Sequence, residues 1–153
     1  MRVGERLVAK PKPRKPVSRR ARLTKRGRAI APAGAPKAVR AIIRAGNRIA
    51  HKPYLWGGGH GSWQAAGYDC SGSVSYALHG AKLLRRAVAS GGLMSYGKPG
   101  KGKWVTVYAH GGHVYMVVAG LRFDTTAFKQ GGSRWTRDLR GGSGFVVRHP
   151  RGL

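Results

Sequence analysis

Pro53-Tyr54-Leu55-Trp56-Gly57-Gly58-Gly59, followed by Tyr68-Asp69-Cys70-Ser71-Gly72, is the stretch whose reading decides the fold. A loop rich in glycine and aromatic residues gives way to a helix at the chain's single cysteine. Cys70, Val74, Ala77, Leu78 and Ala81 recur at helical spacing and share one face. A nucleophilic cysteine reacts as its thiolate. The free N–H groups and dipole of a helix N-terminus favour negative charge at that place. The same N–H groups suit the oxyanion of a tetrahedral intermediate. One cysteine excludes an intramolecular disulfide, and its two remaining readings are a small buried hydrophobe or a nucleophile with a histidine elsewhere.

Outward from this stretch, the chain divides into a tail and one domain. Twelve Lys or Arg fall within the first 30 positions, interleaved with Pro11, Pro13 and Pro16. Like charges repel and prolines break helices, so residues 1–35 are expected to be a disordered basic tail. Residues 36–153 form the expected domain. Pro36 to Ala50 reads as an amphipathic helix, with Val39, Ile42, Ile43, Ala45 and Ile49 on its apolar side. Residues 54–69 and 90–103 read as loops. Strands are expected at 104–109, 113–119, 121–125 and 145–148, with a Gly-rich basic loop at 127–143. Two helices followed by consecutive strands predict an α+β fold, helices packed on an antiparallel β-sheet.

A cysteine nucleophile needs a base. Among six histidines, His51 and His149 flank prolines at expected surface positions, and His79 lies about two and a half turns along the helix from Cys70. His60 sits in the Gly-rich loop, within reach of the site. His113 opens the best strand, and a strand start packed on a helix N-terminus places a base well. A third group should orient the imidazole. If Ala119-Gly120 is a two-residue hairpin turn, Val118 pairs with Leu121 and Tyr115 with Asp124. Side chains alternate along a strand, so Asp124 then lies on the His113 face, diagonal to it. An edge carboxylate bonded to Arg122 or a turn amide is the alternative for Asp124.

These segments resemble the NlpC/P60 family of cell-wall cysteine peptidases, a papain-like group. The resemblance covers roughly residues 36–149 and rests on Pro-Tyr-x-Trp-Gly-Gly at 53–58, Asp69-Cys70-Ser71-Gly72, and the strand beginning Gly112-His113-Val114. It implies hydrolysis of amide bonds in peptidoglycan stem peptides, typically between D-glutamate and a diamino acid, with Cys70 as nucleophile and His113 as base. It implies that Tyr54 lines the site, and that Asp69 and Ser71 contact the amine or backbone of the stem peptide. Trp56, in the same segment, is grouped with these substrate-binding residues. The family's third residue is commonly His, where this chain has Asp124. No metal or cofactor is implied.

The net charge of +26, from 30 Lys and Arg against four acidic residues, draws the protein to polyanions without naming one. An anionic wall polymer, a lipid surface and nucleic acid are the candidate partners of the tail. A related amidase or acyltransferase would use the same dyad, and a nucleic-acid-binding protein would use the charge alone. Neither Cys-x-x-Cys nor His-x-x-x-His spacing is present. There is no heptad pattern, and a monomer is expected. No apolar run reaches the roughly 20 residues of a membrane span, and no signal peptide is visible. The resemblance implies action at the cell envelope or outside the cell; a phage-associated or cytoplasmic protein is the alternative.

Overall fold

The computed structural model describes residues 18–153. The chain runs β1 (Arg22–Leu23), β2 (Ala29–Ile30), α1 (Lys37–Ile49), α2 (Cys70–Gly80), α3 (Ser90–Leu93), β3 (Lys98–Pro99), β4 (Val105–His110), β5 (His113–Val118), β6 (Leu121–Phe123), α4 (Thr125–Gly131), β7 (Trp135–Thr136) and β8 (Val146–His149). Strands β3 to β8 form one antiparallel sheet in the order β3-β8-β4-β5-β6-β7, and β1-β2 is a separate antiparallel pair. The expected α+β architecture, helices against an antiparallel sheet, is the one observed.

Helix α1 buries Val39, Ile42, Ile43, Ala45 and Ile49, the apolar stripe read from the sequence. Helix α2 is different. All eight residues from Ser71 to Leu78 are buried, so it is enclosed on every side rather than along one face. Its short side chains (Ser71, Gly72, Ser73, Ser75, Ala77) let neighbours come close. A Cβ on Gly80 would sit 2.4 Å from the Ala45 Cβ of α1. On the sheet, Val114, Met116 and Val118 of β5 and Val105, Val107 and Ala109 of β4 join the same core as α1 and α2.

Order extends further towards the N-terminus than expected. Of the expected tail, residues 1–17 lie outside the described residues, whereas β1 and β2 at 22–30 pair with each other. Ala21, Ala29 and Ala35 are buried in the core cluster. The Asn47 amide of α1 ties down this hairpin, bonding both the N–H and the carbonyl of Ala29 at 2.9 Å. Three buried alanines are too small a signal to read against twelve cationic residues. The expected loop at 127–143 also holds structure, the end of α4 and strand β7. The expected loop at 90–103 holds α3 and β3. These pieces are two to seven residues long, too short for periodicity to show.

Candidate active site

The loop at 53–69 is fastened to the start of α2 by close backbone approach. The Asp69 N–H donates to the Gly58 carbonyl at 3.3 Å. A Cβ on Gly72 would lie 2.0 Å from that carbonyl oxygen, and a Cβ on Gly58 would lie 2.2 Å from the Gly67 carbonyl oxygen. Only glycine fits at either position, so the glycines quoted first from the sequence are what let the loop lie on the helix end.

Asp69 is the N-cap of α2. Its Oδ1 accepts from the Gly72 N–H at 2.7 Å, and its backbone carbonyl accepts from the Ser73 N–H at 2.8 Å. The first-turn amides of Cys70 and Ser71 have no acceptor among the described residues. They are the donors that a helix start leaves over. Cys70 itself is partly exposed.

His113 opens β5. Its Nε2 hydrogen-bonds Asp124 Oδ1 at 2.9 Å, which leaves Nδ1 as the ring nitrogen not engaged by the carboxylate. The register is the one worked out from parity, with Val118 opposite Leu121 and Met116 opposite Phe123. Ala119 and Gly120 form the turn, both at positive φ, as a two-residue hairpin with the strands' twist requires. Asp124 follows β6 and caps α4, where Oδ1 also accepts from the Thr126 N–H at 3.0 Å. Its Oδ2 faces Arg140 Nη1 at 3.2 Å and Arg122 Nε at 3.4 Å.

Electrostatics follow from this packing. Burial acts to lower the His113 pKa, but the hydrogen bonds with Asp124 and Cys70, and their negative charges, outweigh it and lift the ring from 6.5 to about 9. Burial acts to raise Asp124, yet the His113 and Thr126 hydrogen bonds dominate and hold its carboxyl down at about 2. The site therefore favours a charged imidazolium against the Asp124 carboxylate. Tyr54 stands beside it. Its hydroxyl pKa is raised by burial and by the charges of Cys70 and Asp69, and Lys129 Nζ lies 4.4 Å from the centre of its ring.

The remaining residues singled out from the sequence divide. The Asp69 carboxylate is already engaged by its own chain. Oδ1 bonds His60 Nε2 (3.0 Å) and Ser71 Oγ (3.3 Å) besides Gly72, and Oδ2 accepts from the Gly57 N–H (3.0 Å). Ser71 Oγ is also 2.9 Å from His60 Nε2. His60, within reach by its loop position, is thus joined to the residues on either side of Cys70. Trp56 is 87% exposed and projects into solvent. His79 stacks on Trp63, with ring centroids 4.0 Å apart, and takes no part in the site.

Two arginines that the sequence reading passed over hold the arrangement together. Arg134 is fully buried and donates to Ser73 Oγ of α2 and to the carbonyls of Ile49, Lys52, Pro53 and Tyr68. It closes the base of the loop that carries Tyr54. Desolvation lowers its pKa to about 10. Arg140 lies 5.1 Å from the Tyr115 ring centre and 5.4 Å from that of Phe145, with its tip on Asp124. Both sit in a segment of Gly, Ser and Arg without periodicity. The one available signal was an Arg next to a Trp in an otherwise polar run.

The fold is similar to that of solved proteins. A hypothetical invasion protein of Mycobacterium tuberculosis superposes with a TM-score of 0.52 at 23% identity, over 73% of this chain. This chain spans 62% of that protein's length. The P60 domain of an antigen from M. avium subspecies paratuberculosis superposes with a TM-score of 0.53 at 22% identity, over 73% of this chain and 94% of that domain. No family model matches the sequence, and no curated protein matches it.

Proposed function

We propose, from an NlpC/P60-like fold shared with these structures, that the chain is a cysteine peptidase hydrolysing amide bonds in peptidoglycan stem peptides. The bond is that between D-glutamate and a diamino acid. One observation carries the reading: Cys70 stands at the N-terminus of α2 close enough to His113 to act on its charge, and the ring is held from its Nε2 side by the buried carboxylate of Asp124.

The chemistry runs as follows. The Cys70 thiolate attacks the amide carbonyl, and the Cys70 N–H at the helix start donates to the developing oxyanion. The His113 imidazolium gives its proton to the leaving amine, and the neutral ring then takes one from the water that hydrolyses the thioester. Asp124 holds the ring in one orientation and stabilises its charged form. Tyr54 lines the cleft beside the sulfur. The engaged state of Asp69 supports a different part from the one the family resemblance implied. It fixes the helix start and His60, and it meets the substrate amine only with the oxygen edge left open by those bonds. Such an enzyme works at the cell envelope or outside the cell, on a wall that is itself anionic.

The test is cleavage of a stem peptide by the purified protein, read by mass spectrometry, with Cys70→Ala alongside. A product formed by the native chain and absent with Cys70→Ala supports the peptidase and identifies the bond. A product carrying an added amine in place of water shows acyl transfer instead. No product of either kind, from folded protein whose Cys70 still alkylates, refutes both.

A further inference from the structure

A second concave site lies away from the cysteine. It is a groove of about 960 Å³ between α1, the C-terminal half of α2, the Trp63–Ala65 loop and Arg28 of the hairpin. None of Cys70, His113, Asp124 or Tyr54 lines it. Its walls carry Arg28, Arg44, Arg48 and Lys52 and no acidic residue. Among the described residues, every ion pair runs to Asp69 or Asp124, and none reaches these four cations. Arg48 is preset by its Nε bond to the Tyr76 hydroxyl at 3.0 Å, its guanidinium 5.7 Å from the centre of that ring. Four cations thus converge on one hollow, in a fold that gives them no carboxylate. Such repulsion is relieved by an anion with several charges.

We propose that this groove binds successive phosphates of a phosphodiester-linked wall polymer. The groove's preference for phosphates rests on its own residues; assigning them to a wall polymer rests on the function proposed above. Bases are not what the groove is built to read. Tyr68 and Tyr76 are 2% and 8% exposed, and His79 takes one face of Trp63, so the groove lacks the row of open aromatic rings on which successive bases of single-stranded nucleic acid stack. Arginine forks and an ammonium suit phosphate oxygens spaced along a flexible chain.

The experiment uses the full chain carrying Cys70→Ala, so that binding is read independently of cleavage. Soluble poly(glycerol phosphate), and single-stranded DNA of equal charge, are titrated by calorimetry at about 0.15 M salt. Arg28→Gln, Arg44→Gln and Lys52→Gln are combined in one variant; all three residues are exposed, so the fold is kept. Lys98→Gln, Lys101→Gln and Lys103→Gln, equally exposed, are combined in a control that removes the same charge outside the groove. The expected result is a loss of roughly tenfold or more in affinity for the polymer in the groove variant and less than about twofold in the control. The groove variant should also have a shallower dependence of log K on log salt, by about two. Equal losses in the two variants would show binding by diffuse charge and overturn the proposal. Tighter, groove-dependent binding of the DNA would overturn it in favour of nucleic acid. If stem peptides go uncut by the active protein while groove-dependent polymer binding stands, the peptidase reading falls and the phosphate site does not.

Discussion

Replacing Asp124 by Asn removes one charge and almost no volume. The side chain is buried (2% exposed), and its Oδ1 serves both His113 and the Thr126 amide that starts α4. An asparagine oxygen accepts the same two bonds, so the hairpin and α4 are kept. The NH2 that replaces Oδ2 offers Arg140 and Arg122 no acceptor, and the change in protonation falls on His113. Its rise from 6.5 to about 9 favours the imidazolium by roughly 3 kcal/mol. Asp124 supplies the largest favourable part, against the opposing effect of burial. Without the charge, the ring returns to near 6.5 or below. At pH 7.5 the protonated fraction then falls about tenfold, from nearly complete. The rate falls at least as far, because the proton for the leaving amine comes from this ring. The assay is kcat/KM for stem-peptide cleavage across about pH 5 to 10. On the proposed function, the native chain should lose activity only as pH rises through about 9, and the variant should lose it between about 6 and 7. Stability follows the same groups. A raised histidine contributes fully below 6.5, and that contribution is lost as pH rises through about 9. A depressed carboxyl contributes above 3.8, and that is lost as pH falls through about 2. The native chain's advantage in melting temperature over Asp124→Asn should therefore be widest from about pH 4 to 6.5 and shrink on either side. An alkaline limb at the same pH in both proteins would refute the account, because the carboxylate would then not set the state of the ring.

Arg140→Ala should act in the opposite sense on the same limb. Removing a cation beside the His113–Asp124 pair leaves the limb in place or moves it up, while kcat falls a few-fold as Asp124 loses a partner, and Arg140→Lys restores part of it; a downward shift would count against this. Arg134→Met should cost about 3–5 kcal/mol in urea unfolding, since it strands a buried hydroxyl and four carbonyls; a loss under about 1 kcal/mol would show that water replaces it without penalty. Trp56→Ala should leave the melting temperature unchanged, the ring being 87% exposed, and raise KM a few-fold with kcat intact; unchanged KM would remove Trp56 from the substrate-binding residues.

Which parts of this site were readable follows from how far along the chain each contact reaches. Cys70 at a helix start is a local fact, carried by Asp69 as N-cap and Gly72 behind it, all within four positions. The His113–Asp124 contact spans eleven residues, yet a hairpin is regular enough that parity alone crosses it, given the two-residue turn at Ala119-Gly120. Arg134 reaches 61 to 85 residues back to α1, α2 and the loop between them, and Arg140 reaches an aromatic face assembled from β4, β5 and Phe145. No periodicity encodes such contacts, since they depend on how the sheet closes on the helices. The hairpin at 22–30 escaped notice for a related reason: its burial rests on Ala29, on Ala21 and Ala35 to either side and on two bonds to Asn47, while its charges advertise solvent. Charge density was therefore a poor guide to order here, at both ends of the domain. The same arginine-rich composition that reads as a solvated surface contains one side chain buried as a cross-brace and another set against Asp124, the carboxylate that holds His113. In a chain with so few carboxylates, an arginine is held by whatever acceptors the fold leaves open, and those are backbone carbonyls, hydroxyls, rings and Asp124.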